Sequence, residues 1–220
     1  MGKKEISGKK DFPEMNDIQK NIKEKNGSGQ MRKLAKAMEE VQDGKRYFHT
    51  LGVSFTACSL AMCHGLSVRD AQIAGLLHDC AKCLSDDKLI SICEKNDLEI
   101  TEIEMRNPYL LHGKVGAFLA ATKYQIEDQD IQNAIYYHTT GRPGMSPLEQ
   151  IIFIADYIEP GRKQAPNLDE IRKLSFEDLD LATLKILEDT LNYLESGERE
   201  IDPMTKMTYD FYLREVSGNN

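Results

Sequence analysis

The chain has 220 residues, a formal net charge of −8 at pH 7 and five cysteines. This length fits one domain with a sizeable core and argues against two full domains. The acidic balance disfavours a nucleic-acid polymer as partner, but a few local cations or a metal could still hold a small phosphorylated ligand.

Features of an exported or membrane-bound protein are also missing. No stretch reaches the roughly 18 consecutive apolar residues that a membrane span needs, and the first residues lack the apolar core of a secretory signal. The odd number of cysteines, scattered through helical-looking segments, favours reduced thiols over disulfides. We therefore expect a cytoplasmic protein that does not contact the membrane.

The first 29 residues differ in composition from the rest of the chain. They mix Lys, Glu, Asn, Gly and Ser with few apolar side chains and end in Asn26-Gly27-Ser28-Gly29. Such a segment buries too little apolar surface to order itself. The sequence predicts a flexible N-terminal arm over residues 1–29 and a single domain with C-terminal helices over residues 30–220.

From Met31 onward, apolar residues recur at helical spacing, and no persuasive period-two strand pattern is present. Helix starts are indicated where Ser or Thr precedes an acidic residue by three positions. This pattern occurs at four places, namely Ser67, Thr101, Ser146 and Ser175. The sequence predicts an all-α fold that closes with a helix pair over residues 176–195 and 203–216, separated at Gly197.

Two segments place polar side chains inside apolar helical runs. Asp156 lies within an almost wholly apolar stretch, residues 151–158, and His78 and Asp79 end a stretch that begins at Ile73. A buried carboxylate needs a cationic partner, and a divalent metal with imidazole and carboxylate ligands satisfies both segments. Taken singly, each residue is more often a hydrogen-bonded core residue. Their combination favours a metal site.

The order His49, then His78-Asp79, then Asp156 resembles the H…HD…D signature of the HD-domain phosphohydrolases. Within that superfamily the chain is similar to the YqeK group of symmetrical diadenosine tetraphosphate hydrolases. Five segments carry the likeness, namely Lys45–Thr50, Gly75–Lys82, Leu111–Gly113, His138–Arg142 and Ile154–Arg162. The resemblance implies an HD-domain helical bundle with a metal site at its centre.

The resemblance also implies two divalent metal ions. It favours iron, with manganese or zinc as alternatives. Its ligand set is His49, His78, Asp79 and Asp156 for the first metal, with Asp79 bridging to a second metal held by His112 and His138. His64 falls outside the pattern, and its position near a helix end explains it better. Cys80 and Cys83 form a C-x-x-C, but without a second such pair or a β-α-β context.

Four basic residues are candidates to contact substrate. Lys82 lies one helical turn beyond His78 and is predicted to stabilise developing charge. With Asp79 and Arg142 it makes up the predicted catalytic set. The predicted substrate-binding residues are Arg46, Lys82, Arg142 and Arg162, each with a plain surface charge as the alternative.

The function implied is hydrolysis of diadenosine tetraphosphate to two ADP by a metal-bound hydroxide. The same ligands would equally serve a nucleotidase, a cyclic-nucleotide phosphodiesterase or an alarmone hydrolase, so substrate choice would rest on the pocket around Tyr109, Arg142 and Tyr157. A module that binds metal and nucleotide without turnover is the third reading. Apolar residues near the C-terminus would cover either the domain or the second copy in a homodimer, and these are Met204, Met207, Phe211 and Tyr212.

Overall fold

The computed structural model describes residues 27–197 and 199–218, and all regular elements in these ranges are helical. The all-α prediction is thus confirmed. A short 3-10 helix, Pro108–Leu110, accompanies the α-helices. In chain order these are α1 (Gly27–Val41), α2 (Gly44–Cys63), α3 (Val68–Leu77), α4 (Asp86–Lys95), α5 (Glu102–Arg106), α6 (Leu111–Thr122), α7 (Gln129–Tyr137), α8 (Pro147–Ile158), α9 (Leu168–Leu174), α10 (Leu179–Ser196) and α11 (Pro203–Gly218).

The predicted arm falls mostly on residues 1–26, which lie outside the described ranges. Helix α1 begins at Gly27, three residues before the predicted start of the domain. Its buried Leu34 and Met38 join the main core, so α1 packs as part of the domain. Among the described helices, none is both long and apolar enough to cross a membrane.

Three of the four predicted helix starts are confirmed. The side chains of Ser67, Thr101 and Ser146 each accept a hydrogen bond from the backbone N–H three residues on. The start at Ser175 is wrong, because its hydroxyl donates back to the carbonyl of Ile171 at 2.6 Å and the residue ends α9. Asp178 caps α10 instead, by accepting from the N–H of Leu181.

The bundle is organised around α8, the apolar helix that carries Asp156. Helix α8 packs on α2, α3, α7 and α10. Its residues 151–155 and 158 are buried, as the sequence predicts. Helices α3 and α7 also contact each other, and α6 lies against α7. The helices that bear the polar residues singled out by sequence are therefore neighbours in the core.

The C-terminal pair runs over Leu179–Ser196 and Pro203–Gly218, close to the predicted bounds. Helix α11 packs on α10, and Tyr212 is 2% exposed against the main core. Phe211 also packs on that core. These two residues cover the domain itself, whereas Met207 stays 48% exposed.

Two helix crossings depend on the absence of a side chain. A Cβ added at Gly75 in α3 would lie 2.7 Å from the Cα of Ser54 in α2. A Cβ at Gly113 in α6 would lie 2.6 Å from the carbonyl oxygen of Tyr136 in α7. Both clashes involve backbone, which cannot rotate away. The two glycines therefore set how closely these helices approach.

We predict that Gly75→Ala destabilises the fold by about 1 to 3 kcal/mol, because α2 and α3 must separate to admit the methyl group. Thermal unfolding followed by circular dichroism measures the change. Gly44→Ala is the matched control, since a Cβ there meets nothing within 4 Å. Equal melting temperatures for the two variants would contradict the role of Gly75.

Candidate metal centre

The structure brings the six predicted ligand residues together from five helices. His49 lies within α2, His78 and Asp79 follow α3, and His112 is the second residue of α6. His138 follows α7, and Asp156 lies in the last turn of α8. His78, Asp79, His112 and His138 are each at most 4% exposed, so the centre lies inside the bundle.

Asp79 lies in the middle of this cluster and faces it with both carboxylate oxygens. Its Oδ1 is 3.5 Å from Nε2 of His112 and 3.5 Å from Nε2 of His138. Its Oδ2 is 3.5 Å from Nε2 of His78 and 3.9 Å from Nε2 of His49. The residues thus form two groups of potential metal ligands that share Asp79.

Asp156 belongs to the Oδ2 side of the cluster. Its Oδ1 lies 2.9 Å from Nε2 of His49 and 3.9 Å from Nε2 of His78. The carboxylate is 25% exposed, more than the other ligand side chains. It therefore borders the opening of the centre to solvent.

All four histidines are held through the nitrogen that faces away from the cluster. Nδ1 of His78 donates to the carbonyl of Gly75 at 2.7 Å, and Nδ1 of His138 donates to the carbonyl of Ile135 at 2.7 Å. Nδ1 of His112 donates to the carbonyl of Tyr109 at 2.6 Å. A carbonyl can only accept, so the proton of each neutral ring sits on Nδ1 and the Nε2 lone pair points inward.

His49 lies in mid-helix and uses a carboxylate instead. Its Nδ1 is 3.0 Å from Oε1 of Glu159, a residue 3% exposed that follows α8. A carboxylate behind a ligand histidine fixes the ring and raises its basicity. No role is predicted for Glu159 from the sequence, where it appears only as an acid three residues beyond Asp156, at the end of a buried helix.

The inward lone pairs show that the cluster fits divalent cations. Nε2 of His78 is buried without a hydrogen-bond partner among the described residues, Nε2 of His49 faces Oδ1 of Asp156 at 2.9 Å, and Nε2 of His112 lies 3.1 Å from Nε2 of His138. Two lone pairs at that distance repel each other unless a proton or a cation lies between them. Imidazole nitrogens and carboxylate oxygens, with no thiolate, are suitable ligands for several divalent metals.

The charge states agree with this ligand role. Burial, together with the charges of His138 and Lys82, lowers the pKa of His112 to about 3, so its ring is neutral at pH 7. Burial alone would raise the pKa of Asp79, but His78 and His138 hold it well below its usual range. The hydrogen bond from His49 and the charge of Arg162 likewise outweigh burial and lower the pKa of Asp156.

Three of the four predicted substrate-binding cations border the cluster. Arg46 Nη1 lies 2.7 Å from Oδ2 of Asp79, and Arg162 Nη2 lies 2.7 Å from Oδ1 of Asp156. Lys82 Nζ lies 3.3 Å from Nε2 of His112. Burial lowers the pKa of Lys82 from its usual value.

Arg142 lies elsewhere. Its Nη2 donates to Oε1 of the buried Glu149 at 2.9 Å, its Nε lies 2.9 Å from Oε2 of the same carboxylate, and its guanidinium stacks on the ring of Tyr137, 5.4 Å from the ring centre. The structure does not bring it to the six ligands. This ion pair anchors the turn after α7 to the start of α8.

Two further side chains contact the cluster without having been singled out by sequence. The Thr139 hydroxyl is 3.3 Å from Nε2 of His112 and 3.2 Å from Nε2 of His138. The Gln42 amide donates to the backbone carbonyl of Asp79 at 3.1 Å. Thr139 follows a ligand directly in sequence, whereas Gln42 lies at the end of α1, and only folding brings it to Asp79.

His64 and the C-x-x-C pair lie apart from the ligand set. His64 Nε2 is 2.7 Å from the carbonyl of Ser175. Cys80 is 2% exposed, and burial raises the pKa of its thiol to about 12, while Cys83 is exposed. A thiol that stays protonated is a poor nucleophile and a poor metal ligand, which argues against a redox or zinc role for the pair.

A helical bundle whose core holds two ligand groups of this kind is that of a metal-binding domain. The HD domain family matches residues 46–161, a span that contains all six ligands, and the chain belongs to this family. A solved structure of a predicted HD superfamily hydrolase involved in NAD metabolism, from Clostridium acetobutylicum, superposes with a TM-score of 0.81 and 41% identity. The match covers 84% of this chain and 97% of that one.

Curated relatives agree with the family. The chain is 39% identical over 174 residues to a symmetrical bis(5'-nucleosyl)-tetraphosphatase of Bacillus subtilis, a match covering 79% of this chain and 91% of the relative. The protein of the same name from Staphylococcus aureus is 36% identical, with 74% and 84% covered. A probable nicotinate-nucleotide adenylyltransferase/Ap4A hydrolase of Mycoplasma genitalium is 33% identical, with 74% and 46% covered.

We predict that Glu159→Ala lowers metal affinity by roughly 10- to 100-fold, because His49 loses the carboxylate that orients it. Metal titration monitored by isothermal calorimetry measures the loss. Glu177→Ala, an exposed acid outside the cluster, serves as control. An affinity that matches this control would show that the Glu159 contact does not support the metal ligand.

Proposed function

We propose that this protein hydrolyses diadenosine tetraphosphate symmetrically and releases two ADP. One observation carries the proposal: a chain with both ligand groups in place aligns along 84 to 91% of the length of relatives named symmetrical tetraphosphatases. The relatives therefore match this chain as whole proteins, not through a shared fragment.

Two divalent metals fit the two ligand groups that share Asp79. We assign His49, His78, Asp79 and Asp156 to the first metal, and Asp79, His112 and His138 to the second. Such ions supply Lewis acidity and a nucleophile at neutral pH. Nitrogen and oxygen donors suit iron or manganese, with zinc as an alternative, and iron is the proposed metal because the family resemblance favours it.

The side chains around the cluster then have separate tasks. We propose that Lys82, whose Nζ lies 3.3 Å from Nε2 of His112, contacts a phosphoryl oxygen as its negative charge increases. In the same proposal Arg46 and Arg162, which pair with Asp79 and Asp156, bind flanking phosphates of the bridge. We propose that Arg142, fixed by Glu149, acts on substrate only through the turn that carries Thr139.

The alternative functions require the same metal-binding residues. A nucleotidase, a cyclic-nucleotide phosphodiesterase or an alarmone hydrolase would need the same metals, and a binding module would need them without turnover. No contact of the described residues favours one of these over the tetraphosphatase reading. The predictions of a cytoplasmic location and of a homodimer likewise stay predictions.

We predict that the purified protein, loaded separately with iron, manganese or zinc, converts diadenosine tetraphosphate to ADP as sole nucleotide product. Ion-exchange chromatography of the products and elemental analysis of the anaerobically purified protein provide the measurement. Formation of ATP and AMP would show asymmetric cleavage. An intact dinucleotide beside cleavage of another nucleotide would point to one of the competing readings.

We predict that Lys82→Ala lowers kcat by about 10- to 100-fold while the metal content stays unchanged, since the lost charge stabilises the transition state and does not ligate metal. Lys95→Ala, an exposed lysine outside the cluster, is the matched control. Loss of metal together with activity would instead make Lys82 a support for His112.

A further inference from the structure

Two of the cavities in the described part of the chain adjoin the metal centre, each through a residue that contacts the ligands. The first, of about 560 Å³, is lined by tyrosine and methionine side chains and is called the tyrosine–methionine cavity. The second, of about 660 Å³, is lined by lysine and arginine and is called the basic cavity. None of the six metal-ligand residues lines either cavity.

The tyrosine–methionine cavity meets the centre at Thr139, whose hydroxyl contacts Nε2 of both His112 and His138. It extends from there between the end of α7, helix α5 and the start of α11. The side chains that give it its character are Tyr136, Tyr137, Met204 and Met207.

The charges along this cavity disfavour phosphate. Its two basic side chains are already paired, Arg106 with Glu200 at 2.8 Å and Lys114 with Glu104 at 2.7 Å. Glu102 and Asp202 add two further acids to the lining, so the wall is net acidic. Aromatic and apolar walls with acceptor groups suit an uncharged base and ribose.

The basic cavity meets the centre at Arg162, which bonds the carboxylate of Asp156. Lys45 and Lys163 add two exposed cations to its wall, against the single acid Asp189. Tyr157 donates its hydroxyl to Asp189 at 3.1 Å, which fixes the ring in the wall, and Tyr193 lies nearby. This lining suits a nucleotide with its phosphates.

The two cavities lie at different ends of the cluster. Thr139 contacts the histidines that face Oδ1 of Asp79, whereas Arg162 contacts Asp156, whose histidine partners face Oδ2. A ligand that occupies both cavities must therefore cross the two metal-ligand groups, with Asp79 between them.

We propose that each cavity receives one nucleotide half of a dinucleoside polyphosphate. The tyrosine–methionine cavity takes one base and ribose, and the basic cavity takes the second nucleotide together with its phosphates. The polyphosphate bridge then spans the metal centre, which places a bridge phosphorus away from either nucleoside at the reactive position. This inference rests on the proposed function. Because each side of the metal centre has space for one half of the substrate, the metals face the middle of the bridge, where symmetrical cleavage occurs.

The test combines one set of variants for each cavity. Lys45→Ala with Lys163→Ala removes the two exposed lysines of the basic cavity, and Met204→Trp fills the other. Each is expected to raise KM for diadenosine tetraphosphate about tenfold, with kcat within about twofold, because each weakens binding of one half only. Lys95→Ala with Lys173→Ala, both exposed lysines outside the cavities, is the matched control.

A binding measurement keeps this test separate from the proposed activity. Calorimetric titration of the metal-loaded protein with ADP is expected to give two ADP per chain, with one of the two sites weakened about tenfold in each cavity variant. Should Met204→Trp fail to fold, Met207→Trp takes its place, since Met207 is 48% exposed. One ADP per chain in the wild type, or unchanged KM and ADP affinities in either variant set, would overturn the inference. An intact dinucleotide with two ADP bound would instead refute the activity alone.

Discussion

The structure depends on a buried carboxylate, Asp79, held among four imidazole rings whose Nε2 atoms face it. A carboxylate that is 3% exposed loses most of its hydration, a cost that only nearby positive charge offsets. Arg46 supplies part of that charge through one oxygen. Its other close contacts are the Nε2 atoms of the four histidines, a position where divalent cations would complete the charge balance.

The four histidine rings are oriented by hydrogen bonds of two kinds, those between residues close in sequence and one between residues far apart. His78, His112 and His138 each donate to the carbonyl three residues earlier, so the local turn alone sets the orientation of these rings. His49 has no such turn and depends on Glu159, which is 110 residues away in sequence. Gly75 and Gly113 let the helices approach closely enough for these rings to share one carboxylate.

Charge is distributed unevenly in this acidic protein. The formal charge of −8 belongs to the chain as a whole, while Arg46, Lys82 and Arg162 gather around the cluster. The long-range field thus repels polyanions, and a phosphate group that reaches the centre meets local cations. The uneven charge of the two adjoining cavities continues this pattern outward from the metal ligands.

The sequence by itself determined the helical class, three helix caps, the buried character of α8 and the six residues that converge, because periodicity, caps and ligand motifs are local signals. It could not show that Arg142 pairs with Glu149 instead of reaching the cluster, since an arginine side chain in a turn has several partners within reach. It also did not reveal Glu159 as the partner of His49, the contact of Gln42 with Asp79, or the two cavities. Those features depend on which helices cross and how closely, and only tertiary packing decides that.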